Sequence, residues 1–111
     1  MRLLLIVLSP PRSRGLHTAV NLAYAALGRG HESIIFCTGD GVENVRENKI
    51  GLLSLPLARL IEKGLKVMVC RESARRRGLL TGVDLINGVK RSSLAEMVEL
   101  MDSCERTLVF G

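Results

Sequence analysis

Aromatic residues are scarce in this chain of 111 residues: Tyr24, Phe36 and Phe110 are the whole set, and tryptophan is absent. The core must therefore be aliphatic. The formal net charge of +5 indicates anionic partners or ligands. Nucleic-acid binding by a small domain usually combines basic residues with aromatic stacking groups. The composition therefore argues against DNA or RNA as a partner.

Long apolar runs are also missing. The apolar stretch at residues 3–8 is shorter than the roughly 7–15 residues of a secretory signal or the roughly 18 of a membrane span. We therefore expect a cytoplasmic protein that does not bind a membrane, and the length fits a single domain over residues 1–111. The three cysteines form no metal-ligand spacing and no even-numbered disulfide framework, so we expect free thiols, no metal and no cofactor.

Short apolar runs alternate with amphipathic segments along the chain, which is typical of an α/β fold with a parallel sheet and helices on both faces. A capping box at residues 93–96 predicts the start of the last helix: the Ser93 hydroxyl accepts a helix amide, and the Glu96 carboxylate reaches back. Residues 49–54 are predicted as loop, and 81–87 are ambiguous. The predicted strands are 3–8, 34–37, 65–70, 88–91 and 106–110, and the predicted helices are 16–27, 42–46 with Asp40 as its cap, 54–63, 72–77 and 93–101.

Cys70 ends a predicted strand, immediately before a helix that carries several arginines. In parallel sheets, ligands and chemistry lie at the carboxyl ends of strands, which singles out Cys70 together with the loops at 9–15 and 38–42. The free amides of a helix start and the neighbouring Arg71 would favour the thiolate. A buried, inert cysteine at the end of a core strand is the alternative, and the residues alone leave both interpretations open.

The other two cysteines are weaker candidates. Cys37 also ends a strand, and we interpret it as a core residue that becomes a second, resolving thiol only if strands two and three are neighbours. Cys104 lies in a turn and is read as structural. The segment CRES at 70–73 has Ser73 where a Cys-x-x-Cys pair has its second thiol, so that disulfide is excluded. Ser73 would instead stabilise a sulfur anion through its hydroxyl or its amide.

The loop SPPRSRG at residues 9–15 joins a strand to a helix and contains Arg12 and Arg14. These arginines and the helix start would suit a phosphate. The loop matches neither the dinucleotide fingerprint nor the GxxxxGK[ST] motif, and its two prolines remove amide donors. We therefore favour a plain loop over a nucleotide site.

Taken together, several motifs resemble the DsrE/TusD-like (DsrE/DsrF-like) family of small sulfur-relay and related proteins, nearly from end to end. The most specific motif is a cysteine followed by a short segment that ends in Arg-Gly, here Cys70 through Arg77 and Gly78. The order and spacing of the motifs carry the resemblance more than any one of them. They are GDGV at 39–42, IEKGLKVMVCRESARRRGL at 61–79 and LINGVKRSSLAEMVELMDSCERTLVFG at 85–111.

The resemblance implies a three-layer α/β/α fold with a five-stranded, mostly parallel sheet, assembled into homo-trimers or hexamers. It also implies that Cys70 accepts sulfane sulfur as a persulfide and passes it from a donor protein to an acceptor protein. The resulting predicted site has Cys70 as the sulfur carrier and Cys37 as a possible secondary thiol, with a set of lining or anion-stabilising residues: Asp40, Arg71, Ser73, Arg77 and Gly78. The competing interpretation is a module of the same fold that assembles or binds a small anion through Arg12 and Arg14, with Cys70 only lining the site.

Overall fold

Five short strands form one parallel sheet in the order β4-β3-β2-β1-β5. The structure, a computed structural model, describes residues 1–47, 54–79 and 84–111. Every strand pair in the sheet is parallel, as the alternation of apolar runs and helical segments predicts. The strands are β1 (Arg2–Val7), β2 (Glu32–Cys37), β3 (Lys66–Cys70), β4 (Lys90–Ser92) and β5 (Arg106–Phe110).

In the described part of the chain, four α-helices flank these strands. Glycines in the left-handed region follow the helix ends, as at Gly64 (φ 112°) and Gly78 (φ 74°), because residues with a side chain rarely adopt this conformation. The last helix begins at Ser93, whose Oγ accepts the Glu96 amide at 3.1 Å. The helices are α1 (Gly15–Gly28), α2 (Ser54–Glu62), α3 (Arg71–Arg76) and α4 (Leu94–Ser103), and two 3-10 segments cover Pro11–Ser13 and Gly39–Val45.

The two faces of the sheet are covered unequally because of the strand order. From β1 to β4 the chain moves in one direction across the sheet, so right-handed crossovers place α1, α2 and α3 on the same face. The step from β4 back to β5 runs the other way and places α4 on the opposite face. The first face holds the larger aliphatic core, which includes Leu5, Val7 and Leu57. The second face holds a smaller cluster, which includes Ile6 and Phe36.

Two local predictions need correction. Asp40 does not cap a helix: Thr38 is the N-cap of a 3-10 segment, Gly39–Val45, that replaces the predicted α-helix. The reciprocal half of the capping box also differs, because the Glu96 carboxylate accepts the Ser92 hydroxyl. The predicted loop at 49–54 lies almost wholly outside the described residues, and the ambiguous segment 81–87 lies partly outside them.

Candidate functional site

Cys70 lies at the junction of β3 and α3 with no residue between the two elements. It is the last residue of the strand and the N-cap of the helix, with φ −63° and ψ 120°. Its side chain faces the smaller cluster of the second sheet face and is 3% exposed. This abrupt junction places Cys70 at the start of α3, where the first amides lack helical partners, and its side chain makes no cap hydrogen bond to them.

The pKa of Cys70 is shifted below its ordinary value by hydrogen bonds. Desolvation of the buried sulfur is the largest single influence and raises the pKa. Hydrogen bonding with the hydroxyl and amide of Ser73, the hydroxyl of Thr38 and the amide of Glu72 lowers the pKa, and the net direction is downward. Donors that favour the charged form lower the pKa of a thiol, so the site is built to hold a sulfur anion.

Ser73, in the first turn of α3, joins this helix to the turn after β2. Its Oγ accepts the Gly39 amide at 3.0 Å and lies 3.4 Å from the Thr38 Oγ1. Because the hydroxyl oxygen accepts the Gly39 N–H, the Ser73 proton remains available for Cys70. The sequence singled out Ser73 and the loop at 38–42 as candidates, but it did not name Thr38 itself. The signal for Thr38 is that β2 ends beside β3, which becomes visible only once the strand order is known.

The glycines of GDGV allow this turn to approach the sheet. A Cβ on Gly41 would lie 2.0 Å from the backbone oxygen of Val7, which is closer than any real contact. Gly39 has a φ of 57°, in the left-handed region. The Thr38 amide donates to the same Val7 oxygen at 3.1 Å. The turn is therefore fixed against the end of β1 by its backbone, and Thr38 is held beside the sulfur.

Asp40 and Arg77 form an ion pair on the outer side of this turn. The Arg77 Nη2 donates to the Asp40 Oδ1 at 2.7 Å, and its Nη1 donates to the Ser73 backbone oxygen at 3.2 Å. Gly78 ends the helix directly after Arg77. Since the Asp40 side chain is 64% exposed, the pair contributes little to the stability of the fold. Its geometric effect is to join the turn after β2 to the end of α3.

The other arginines of this segment, Arg71, Arg75 and Arg76, lie on the exposed surface of α3. Arg75 donates to the Glu72 carboxylate, as does Arg76 through its Nε at 3.3 Å, so both cations are paired on the surface of α3. Arg71 is exposed. None of these arginines is among the leading influences on the pKa of Cys70. Hydroxyls and amides therefore provide the stabilisation that the sequence assigned partly to arginine.

Cys37 has the opposite environment to Cys70. Strands β2 and β3 are neighbours, as a resolving role would need, but Cys37 pairs in register with Val69. Cys70 is one residue further along, so its side chain points to the other face of the sheet. Cys37 is fully buried in the larger core, and desolvation raises its pKa to about 12. This arrangement opposes direct exchange between the two sulfurs in the folded protein. Cys104 is buried at the end of α4, before β5 begins.

The loop with Arg12 and Arg14 lies over the end of β1, away from Cys70. Both arginines are exposed, and Arg14 is the N-cap of α1 with a φ of 60° and no side-chain cap. Strand β2 separates β1 from β3, so about 10 Å divides this loop from the sulfur at the usual strand spacing. The segment Pro11–Ser13 does contact the turn Gly39–Val45, which flanks Cys70.

Within the described ranges, no group of three or more His, Cys, Asp or Glu side chains is arranged to hold a metal ion. The described part of the chain also contains no helix that is long and apolar enough to span a membrane.

The sequence model of the DsrE/DsrF-like family matches residues 1–110 of the chain. No curated protein sequence shows significant similarity. Among solved structures, the ychN protein from E. coli is similar over 99% of this chain and 100% of its own, with 26% identity and a TM-score of 0.83.

Two structures described as proteins of unknown function have the same fold at lower identity. MTH1491 from Methanobacterium thermoautotrophicum has 19% identity and a TM-score of 0.78, with 97% of each chain covered. BT1422 from Bacteroides thetaiotaomicron has 13% identity and a TM-score of 0.75, with 98% of this chain and 94% of its own covered. These two likenesses bear on the fold alone.

Proposed function

Because the chain belongs to the DsrE/DsrF-like family, we propose that it is a sulfur carrier in which Cys70 accepts sulfane sulfur as a persulfide and passes it to an acceptor thiol. The observation that carries the proposal is the position of Cys70 at the end of β3 and the start of α3, beside Ser73 and Thr38, whose hydrogen bonding lowers its pKa. These donors favour the thiolate, which is the nucleophile in exchange at sulfur.

Each transfer is a balanced displacement. The Cys70 thiolate attacks the terminal sulfur of a donor R–S–SH, forming a new S–S bond while the donor S–S bond breaks and R–S⁻ leaves. The product is Cys70–S–SH. An acceptor thiolate then attacks this terminal sulfur and releases the Cys70 thiolate. The same donors from Ser73 and Thr38 stabilise Cys70 as attacking group in the first step and as leaving group in the second.

The direct test is the intact mass of the purified, reduced protein after treatment with a small-molecule persulfide donor. The wild type should gain one sulfur atom, and Cys70→Ser should gain none. Cys104→Ser is the matched control, because it removes another buried thiol at the opposite end of the second sheet face. Equal uptake by wild type and Cys70→Ser would overturn the proposal.

A non-catalytic assembly or anion-binding module of the same fold is the second candidate. The 3% exposure of Cys70 favours it, since a donor must reach the sulfur through a local opening of the edge. Uptake of sulfur at Cys70 would reject this candidate. Phosphate protection of the exposed loop at Arg12 and Arg14 would support it, provided that Arg12→Ala and Arg14→Ala abolish the protection.

We also propose that the chain forms a homo-oligomer, a trimer or hexamer, through α4. Three apolar side chains repeat at helical spacing on the outer surface of that helix: Leu94, Val98 and Met101 are 49%, 59% and 45% exposed. Val109 of the edge strand β5 lies on the same side of the sheet and is 59% exposed. A contiguous apolar surface of this kind is typical of an interface.

Analytical ultracentrifugation of Val98→Asp tests this assembly. A charge within the apolar stripe should shift the wild-type oligomer to monomers while leaving the folded chain intact. Asp102→Asn, on the same helix, is the control. A monomeric wild type would reject the assembly and leave the sulfur chemistry of Cys70 untouched. The free, reduced cysteines support a cytoplasmic location as part of this proposal.

A further inference from the structure

Ser92 lies directly beside Cys70 on the neighbouring strand. The two residues are paired in register between β3 and β4, so their Cα atoms are about 5 Å apart and their side chains point to the same sheet face. Each of them is 3% exposed. The donors from Ser73 and Thr38 approach Cys70 from the turn after β2 and from α3. Ser92 lies on the other side of Cys70, on β4.

The Ser92 hydroxyl is oriented by a carboxylate. Its Oγ donates to the Glu96 Oε2, and the Glu96 amide is fixed by the Ser93 Oγ at the start of α4. Because its only proton is directed to Glu96, the Ser92 oxygen presents lone pairs to its other neighbours. It is therefore an acceptor next to a sulfur that is otherwise surrounded by donors.

The other charged groups around Cys70 come from each element packed near it. From α3 there are Arg71, Arg77 and Glu72, the last paired with Arg75 and Arg76. The turn after β2 contributes Asp40, which pairs with Arg77. On β4, Lys90 shares the sheet face of Ser92, two residues away. The remaining residues of the cluster from β1 and β2 do not titrate: Leu4, Ile6, Ile34 and Phe36. Glu96, an exposed residue, is the acidic group that a part-buried hydrogen bond joins to the neighbour of Cys70.

We propose that Ser92 and Glu96 are positioning residues that hold a hydrogen-bond acceptor and a negative charge beside the Cys70 sulfur and so limit how far its ionisation is favoured. The inference rests on the proposed function for its purpose: a thiolate attacks best when its pKa lies near the ambient pH, because nucleophilicity falls with pKa. Ser92 accepts the S–H proton of the thiol or persulfide in a hydrogen bond. The carboxylate behind it disfavours the anion through its charge.

The test is the pH profile of the alkylation rate at Cys70 in the full-length protein, with Glu96→Gln as the main variant. Glutamine keeps an oxygen that accepts the Ser92 hydroxyl and removes the charge. The midpoint of the profile should move to lower pH, and the rate well below the midpoint should rise about two- to fivefold. Ser92→Ala, which removes the acceptor, should move it in the same direction.

Two controls separate this role from a structural one. Glu99→Gln and Asp102→Asn each remove an equal charge from the exposed surface of α4 further along the helix; neither should move the midpoint. A midpoint that is unchanged or higher in Glu96→Gln would overturn the inference, whatever Ser92→Ala does to folding. Alkylation needs no persulfide, so failure here is distinguishable from a Cys70 that takes up no sulfur.

Discussion

Cys37 and Cys70 lie at the carboxyl ends of neighbouring strands, yet the pKa values of their thiols are shifted in opposite directions. Cys37 is enclosed by the larger aliphatic core, and burial raises its pKa to about 12. Cys70 is nearly as covered, but hydrogen bonds from Ser73, Thr38 and Glu72 lower its pKa below the ordinary value. Covering a thiol therefore does not decide its chemistry. The hydrogen-bond donors within reach decide it.

The difference arises from a single step in register. Cys37 is paired with Val69, and Cys70 is the next residue along β3. Because successive side chains on a strand point to opposite faces, this step moves a sulfur from the core to the face where β3 passes directly into α3. Of the two cysteines, Cys70 is the one that lies at the start of α3, near the hydroxyls of Ser73 and Thr38.

The largest expected effect is the ratio of alkylation rates at the two cysteines. At pH 7 the thiolate fraction of a thiol with a pKa near 12 is at least about a thousandfold smaller than that of one below 9.0. Iodoacetamide should therefore modify Cys70 at least about a thousandfold faster than Cys37 in the native protein. Mass spectrometry of the separated peptides measures both rates in one sample.

Denatured protein provides the control for this ratio, because both thiols should then react at similar rates. Comparable rates at Cys37 and Cys70 in the native protein would contradict the contrast between the two strand ends. In that event, the hydrogen bonds of Ser73 and Thr38 would have no consequence for reactivity.

At alkaline pH, ionisation of the two thiols should change the free energy of unfolding in opposite directions. Cys37 stays protonated when folded but ionises near 9.0 when unfolded, so the unfolded state binds fewer protons between pH 9 and pH 12. The free energy of unfolding should fall there by about 1.4 kcal/mol per pH unit on this account. Cys70, with a lowered pKa, acts in the opposite direction between its folded pKa and 9.0.

Urea titrations at several pH values measure this slope. The readout is the difference between wild type and Cys37→Ala, which should have a shallower decline. Cys70→Ser is the matched variant and should not flatten it. Identical slopes for wild type and Cys37→Ala would show that Cys37 ionises as readily in the folded state as in the unfolded state.

Much of the fold follows from sequence pattern because short apolar runs mark the strands. The continuous apolar run in β1 and the strand Arg106–Phe110 were predictable from residue type alone. A short helix was predicted at residues 42–46 with Asp40 as its cap, whereas a 3-10 segment spans Gly39–Val45, where Gly41 closely approaches Val7. That contact joins residues distant in sequence, and local propensity carries no record of it.

The site was predictable to a lesser degree. Cys70 and Ser73 could be identified because the end of a parallel strand is where such folds carry chemistry. Thr38 and Ser92 could not, because each becomes a neighbour of the sulfur only through the lateral order of the strands. Arg75 and Arg76 pair with Glu72 on the same helix, and Arg77 pairs with Asp40.

Ser73→Ala should reduce the difference between the two cysteines without removing it. The variant loses the hydroxyl that donates to Cys70 and leaves the Gly39 amide without its acceptor. A hydrogen bond to a charged group contributes about 1.5–3 kcal/mol, so alkylation of Cys70 at pH 7 should slow by about tenfold. Thr38→Val should slow it less, and Thr38→Ser, which keeps the hydroxyl, is the control. Unchanged rates would show that backbone amides alone hold the anion.

Asp40→Asn should have the smallest effect, because the Asp40 side chain is exposed and contacts the site through Arg77. Its pair with Arg77 is largely exposed, and exposed pairs contribute less than about 1 kcal/mol to the free energy of unfolding. Arg77 still donates to the Ser73 backbone in the variant, so alkylation of Cys70 should change less than twofold. Urea unfolding and alkylation check both expectations, with Asp102→Asn as an exposed control on α4. Loss of sulfur uptake by a stable Asp40→Asn would place the carboxylate in the chemistry itself, and the difference between the two cysteines would then depend on charge as well as on hydroxyls and amides.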